Sequence, residues 1–173
     1  MTSGGSEAAA RDFALAAHGD QRYGERPYAA HLEAVVAIVA SLPADDDAAA
    51  LAAVAWLHDV LEDTQTTAEA LRERFGEVIA AAVAHLSDPP GASRRERKAL
   101  LHRRLAGLEH EPASERLALI VKAADRLANA RASAADNPRL LAMYRGEHGE
   151  LRAAALRPGL CDPIWAELDA LLG

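Results

Sequence analysis

The stretch Trp56-Leu57-His58-Asp59-Val60-Leu61-Glu62-Asp63-Thr64 sets an imidazole beside a carboxylate and follows them, one helical turn later, with a pair of acids. Imidazole and carboxylate hold divalent cations, and a carboxylate next to a bound cation can move a proton to or from water. On a continuous α-helix His58 would neighbour Glu62, and Asp59 would neighbour Asp63, because side chains four residues apart share a face. Such a segment can hold a cation and set acid–base groups beside it. A polar patch ending an apolar helix is most often a solvated terminus. Here, however, Leu51, Val54, Ala55, Leu57 and Leu61 form an apolar stripe at helical spacing, and His58 and Asp59 lie along its edge. Both are therefore expected to be partly buried, and a partly buried charge is costly unless paired or metal-bound.

Two more segments place polar groups on apolar helical stripes. His31 lies beside Leu32, Val35 and Val36, and Asp125 lies within Ile120-Val121-Lys122-Ala123-Ala124-Asp125-Arg126-Leu127. A lone histidine in such a place is ordinarily a satisfied core residue. Together, His31, His58, Asp59 and Asp125 supply imidazoles and carboxylates from three predicted helices, a mixed set suited to Mn²⁺, Fe²⁺ or Mg²⁺ with positions left open for water and substrate. A closed thiolate zinc site is excluded, because Cys161 is the only cysteine. Asp125 and Asn129 are one turn apart, so one face could carry both a ligand and a substrate contact.

The elements that must position these groups are all helical. The composition is half apolar but only 4% aromatic, rich in alanine and without an alternating strand pattern, which predicts an all-α protein. Helices are predicted from a Ser6 cap to about Ala17, from Tyr28 to Ser41, from Ala48 to Leu61, from Ala68 to Phe75 and from Glu77 to Leu86. Four more follow: Ser93 to Leu108, Ala113 to Ala134, Pro138 to Leu156, and a short one opened by Pro163. The glycines and proline of His18–Pro27 predict a loop, and Asp88-Pro89-Pro90-Gly91 a break. The acidic run Asp45-Asp46-Asp47 is expected to complement the start of the third helix. Trp56 and Trp165 are expected in the core, and His85, His102, His110 and His148 in structural places.

A chain of 173 residues fits one domain spanning 1–173. Its formal charge of −7 argues against nonspecific binding to nucleic acid, although local arginines can still favour a small anionic ligand. The first residues lack the basic and apolar regions of a signal peptide, and no apolar run reaches membrane-spanning length. A cytoplasmic location without membrane attachment is expected. The alanine- and leucine-rich helices would also allow a homodimer.

Five motifs occur in order: His18-x-x-Gln21-Arg22 leading to Pro27-Tyr28-x-x-His31; Leu57-His58-Asp59-Val60-x-Glu62-Asp63-Thr64; Phe75-Gly76; Glu96-Arg97-Lys98; and Lys122-x-Ala124-Asp125-Arg126-Leu127-x-Asn129-x-Arg131. This series resembles the HD-domain phosphohydrolases, and within them the hydrolase domain of RelA/SpoT-type alarmone enzymes and the small stand-alone alarmone hydrolases. The resemblance implies a compact HD-domain helical bundle. It implies that His31, His58, Asp59 and Asp125 bind one divalent metal, typically manganese. It also implies that Glu62 and Asp63 serve hydrolysis and that Arg22 and Asn129 lie in the nucleotide pocket. The chain departs from the family pattern at Leu32, where proline is usual, at Arg22-Tyr23, where a basic pair is common, and at Ala132, where the long enzymes carry a hydroxyl residue.

The activity implied is hydrolysis of the 3′-pyrophosphate of guanosine tetra- or pentaphosphate to GDP or GTP and pyrophosphate. Two alternatives stand beside it: action on another phosphorylated nucleotide, such as a deoxynucleotide monophosphate or an NADPH-like dinucleotide, and a non-catalytic nucleotide- or metal-sensing protein. Arg22 would grip phosphate oxygens, since a guanidinium suits bidentate contact. Lys122 could do the same or snorkel, and Tyr144 could contact the nucleotide or simply pack. The run Arg94–Lys98 is expected to be a solvated face, with an electrostatic funnel for polyanions as the sharper reading.

Overall fold

The computed structural model describes residues 4–173, and among them it is helical apart from one short hairpin. Helix α1 (Gly4–His18) leads into strands β1 (Arg22–Tyr23) and β2 (Arg26–Pro27). Then follow α2 (Ala29–Ala40), α3 (Ala48–Leu57), α4 (Val60–Asp63), α5 (Ala68–Phe75), α6 (Glu77–Leu86), α7 (Arg94–Ala106), α8 (Ala113–Asp136), α9 (Pro138–Ala155) and α10 (Asp162–Leu172). Helix α1 starts ahead of Ser6, so Ser6 lies inside the helix rather than capping it, and Met1, Thr2 and Ser3 lie outside the described residues.

The middle of the molecule is α8, which packs against α2, α3, α6, α9 and α10. From Leu117 to Ala130 every residue of α8 is buried except Asp125 and Asn129. A helix enclosed on all sides needs small side chains where neighbours cross closely, and Ala118, Ala123, Ala124, Ala128 and Ala130 provide them. Leu32, Val35, Val54, Leu57, Leu117, Val121 and Leu127 fill the spaces between helices, and Trp56 and Trp165 are buried as expected. Val78 is the one large apolar side chain exposed among the described residues. No described helix is long and apolar enough to cross a membrane.

Three local features aim the polar residues. The loop His18–Pro27 contains an antiparallel pair, Arg22 opposite Pro27 and Tyr23 opposite Arg26, turned by Gly24 at φ +59°. Side chains alternate along a strand, so Arg22 and Tyr23 face opposite ways. The second feature corrects the helix predicted from Ala48 to Leu61: α3 stops at Leu57, and the one-turn α4 begins at Val60. His58 Nδ1 donates at 2.8 Å to the Ala55 carbonyl, which a continued helix would offer to the Asp59 amide. Asp59 then accepts from both the Glu62 and Asp63 amides, at 3.1 and 3.0 Å. The third feature is the acidic run: Asp47 precedes α3 without a side-chain cap bond and instead pairs with Arg116 of α8.

Candidate active site

His31 from α2, His58 and Asp59 from the break after α3, and Asp125 from α8 converge, and His31, Asp59 and Asp125 line a cavity of about 230 Å³. The two imidazoles are 3% exposed, and their Nε2 atoms stand 3.2 Å apart. Asp125 Oδ1 lies 3.3 Å from His31 Nε2 and 3.7 Å from His58 Nε2, while Asp59 Oδ2 lies 2.9 Å from His58 Nε2 and 3.7 Å from His31 Nε2. Ligand atoms of His31, His58 and Asp125 all fall within 4.8 Å of one another.

The tautomer of His58 tests whether a cation fits. Its Nδ1 donates to Ala55 O, so in the neutral ring Nε2 carries a lone pair aimed at Asp59 Oδ2 and His31 Nε2. Lone pairs facing one another repel unless a positive charge lies among them. Without a metal that charge is a proton: burial disfavours it, yet Asp59 and Asp125 outweigh burial and hold the His58 imidazolium well above its ordinary range. The same exchange works on the acids, where burial opposes ionisation but the imidazoles, and for Asp125 first Lys122, keep both carboxyls far below theirs. Two imidazole nitrogens and carboxylate oxygens converging in this way fit a divalent cation.

Further hydrogen bonds hold these donors. Tyr28 donates to Asp59 Oδ2 at 2.5 Å, and Asn129 Nδ2 donates to Asp125 Oδ1 at 2.7 Å across one turn of α8. Lys122 Nζ reaches Asp125 Oδ2 at 3.3 Å; burial opposes its charge, but Asp125 and Glu62 outweigh that and keep it protonated. Glu62 Oε1 accepts from the Asp88 amide at 2.6 Å, and Asp63 accepts from Gln21 Nε2 at 2.9 Å. Burial lifts the Glu62 carboxyl above its ordinary value.

Glu62, Asp63, Lys122, Asn129 and Tyr144 line the cavity. Glu62 and Asp63 reach it from the separate turn α4, not from the helix that carries His58. Arg22 does not line it. Its guanidinium turns back onto the Glu25 carbonyl within the hairpin, and Tyr23 faces the cavity in its place. Arg94 and Lys98, read as a solvated face or an electrostatic funnel, line the wall together with Arg126, with Arg94 still exposed. Arg94 and Arg126 both bind Glu147, and Arg126 lies 4.5 Å from the centre of the Tyr144 ring. The signal for this wall was present in the sequence: Arg94 and Lys98, like Lys122 and Arg126, are basic pairs four residues apart on helices.

Residues 10–147 match the family model described as an HD domain. This chain is a member of the HD-domain family. Its HD pair is His58-Asp59, at the break between α3 and α4. The chain is 35% identical over 125 residues to guanosine-3′,5′-bis(diphosphate) 3′-pyrophosphohydrolase MESH1 of Xenopus tropicalis, which covers 70% of this chain and 66% of that protein. Against human MESH1 the identity is 36% over 134 residues, covering 73% of this chain and 71% of the relative. Against the guanosine-3′,5′-bis(diphosphate) 3′-pyrophosphohydrolase of Aquifex aeolicus it is 33%, covering 70% of this chain but only 17% of that longer protein. The chain thus spans just under two thirds of the Xenopus relative's length. The solved structure of a metazoan ortholog of SpoT, a protein that hydrolyses ppGpp, shares the fold of this HD-domain chain: TM-score 0.75 at 22% identity over 94% of both chains.

Proposed function

We propose that the chain, acting over residues 1–173 as a single HD-type unit, is a metal-dependent hydrolase of the 3′-pyrophosphate of guanosine tetra- or pentaphosphate, releasing pyrophosphate and GDP or GTP. One observation carries this reading: one cavity joins a buried imidazole–carboxylate cluster, a pair of acids and a wall of four cationic side chains, Arg94, Lys98, Lys122 and Arg126. The first two suit hydrolysis, and the third suits a polyanion. The MESH1 relatives are named for this reaction.

His31, His58, Asp59 and Asp125 would hold one divalent cation, most consistently Mn²⁺. When bound, the cation would lower the pKa of a coordinated water and neutralise charge on a phosphoryl oxygen. Glu62 and Asp63 stand at the same end of the cavity. With its carboxyl lifted by desolvation, Glu62 can exchange a proton nearer neutrality than an unperturbed carboxyl, taking it from water or giving it to the leaving oxygen. Asp63, held by Gln21, orients the same water. Lys122 grips the phosphoryl group beside Asp125, and Arg94, Lys98 and Arg126 neutralise the remaining phosphates. Tyr144, its ring under Arg126, borders the nucleotide. Arg22 has no part in this grip.

The substrate is a small anionic nucleotide, and the proposed compartment is the cytoplasm, where such nucleotides are found. The test is to incubate manganese-loaded protein with guanosine tetraphosphate and separate the products by anion exchange. GDP and pyrophosphate, abolished by chelation, are expected. Metal binding without cleavage of this compound would overturn the assignment and direct the same assay to other phosphorylated nucleotides.

A further inference from the structure

Tyr23 stands where the resembling enzymes commonly carry a basic residue, and it is bound on two sides. Its ring stacks on His31, with centroids 4.9 Å apart and an interplanar angle of 18°. Its hydroxyl lies 2.7 Å from Asn129 Oδ1. The direction of this chain of bonds is fixed by its far end. An ionised Asp125 only accepts, so the Asn129 amide must turn Nδ2 toward it, at 2.7 Å, and present Oδ1 to Tyr23. The tyrosine must therefore donate.

We infer that Tyr23 and Asn129 form a positioning relay through which the β1–β2 hairpin holds two of the proposed metal ligands, His31 by ring stacking and Asp125 through the asparagine amide. Asn129 lies in the cavity, and its amide binds protein groups at both ends, Oδ1 to Tyr23 and Nδ2 to Asp125, with one lone pair and one N–H left over. Asp125 Oδ1 accepts this bond while standing 3.3 Å from His31 Nε2, so the relay sets the distance between the two ligands. Partners of this kind that orient metal ligands change affinity or activity by about 10–100-fold when lost. The hairpin pairs only Arg22 with Pro27 and Tyr23 with Arg26, too short a ladder to hold itself, so its docking and the order of the ligands depend on each other.

The inference rests on the reading of His31, His58, Asp59 and Asp125 as metal ligands, and the experiment separates the two. Mn²⁺ is titrated into metal-free protein and followed by electron paramagnetic resonance, with thermal unfolding of each metal-free variant alongside. Tyr23→Phe keeps the ring and removes the donor, and is expected to weaken Mn²⁺ binding about tenfold or more. Asn129→Ala is expected to do the same, and the double variant to be no weaker than Asn129→Ala alone, since both break one chain. Tyr23→Leu, which also loses the stacking, should bind more weakly than Tyr23→Phe. Unchanged affinity in Tyr23→Phe, or additive losses in the double variant, overturns the relay while leaving the metal reading in place. Failure of the unsubstituted protein to bind Mn²⁺ overturns both.

Discussion

Glu62 joins the site's chemistry to its packing through one carboxylate. One oxygen accepts the Asp88 amide, and burial raises the group toward the pH at which the proposed mechanism has it exchange a proton. Glu62→Gln keeps the carbonyl oxygen that accepts this amide and removes the proton exchange. It is expected to retain fold and Mn²⁺ content while losing about 10²–10⁴ in kcat, the range of a general acid–base contribution. Steady-state turnover within tenfold of the unsubstituted protein would remove Glu62 from the mechanism. At this scale the convergence of His31, His58, Asp59 and Asp125 was legible in the sequence, because a histidine or aspartate on an apolar stripe contradicts its surroundings. Arg22 misled for an equally physical reason. In a two-residue strand neighbours point to opposite faces, and no periodicity shows which one turns inward. Here the aromatic ring packs on His31 and Tyr28, and the charge goes out to a turn carbonyl.

Elements were legible where the chain carries its own caps. Thr67 accepts the Ala70 amide at 3.2 Å, Ser93 accepts that of Glu96 at 3.1 Å, and Asn137 accepts that of Leu140 at 3.0 Å ahead of Pro138. Each helix start was predictable from those residues. The break at His58-Asp59 was not. It depends on a histidine taking a carbonyl three residues back, and the apolar stripe running on to Leu61 masks it. The junction of α5 and α6 shows the opposite case, since Gly76 there has φ +86° and ψ 168°, a region essentially reserved for glycine. A Cβ at this position would meet nothing within 4 Å, so Gly76→Ala isolates backbone strain from packing. We expect a loss of about 1–3 kcal/mol in urea unfolding with an unchanged KM. An equal stability would mean that the junction relaxes without cost.

Across the whole molecule, the net charge of −7 does not prevent one cavity wall from gathering four cations, which would repel one another without acids behind them. Glu147 of α9 supplies much of that backing. It takes two bonds from Arg94 of α7, at 2.9 and 3.1 Å, and one from Arg126 of α8 at 3.0 Å, and so ties three helices behind the cavity wall. Arg126 is only 4% exposed and could not stay charged there cheaply without a partner. Burial works to raise the Glu147 carboxyl, but the bonds from Arg94 and the charge of Arg126 outweigh it and hold the group below its ordinary 4.5. A depressed carboxyl stabilises the fold above the unfolded value, and that contribution disappears as pH falls through the folded value. Glu147→Gln is therefore expected to cost about 1.5–3 kcal/mol at neutral pH, the worth of hydrogen bonds to a charged group. The gap to the unsubstituted protein should close as pH drops below 4.5. Chemical denaturation across that range checks the sign. A gap constant with pH would show that Glu147 holds the helices by shape and not by charge, and the cationic wall would then need another source of stability.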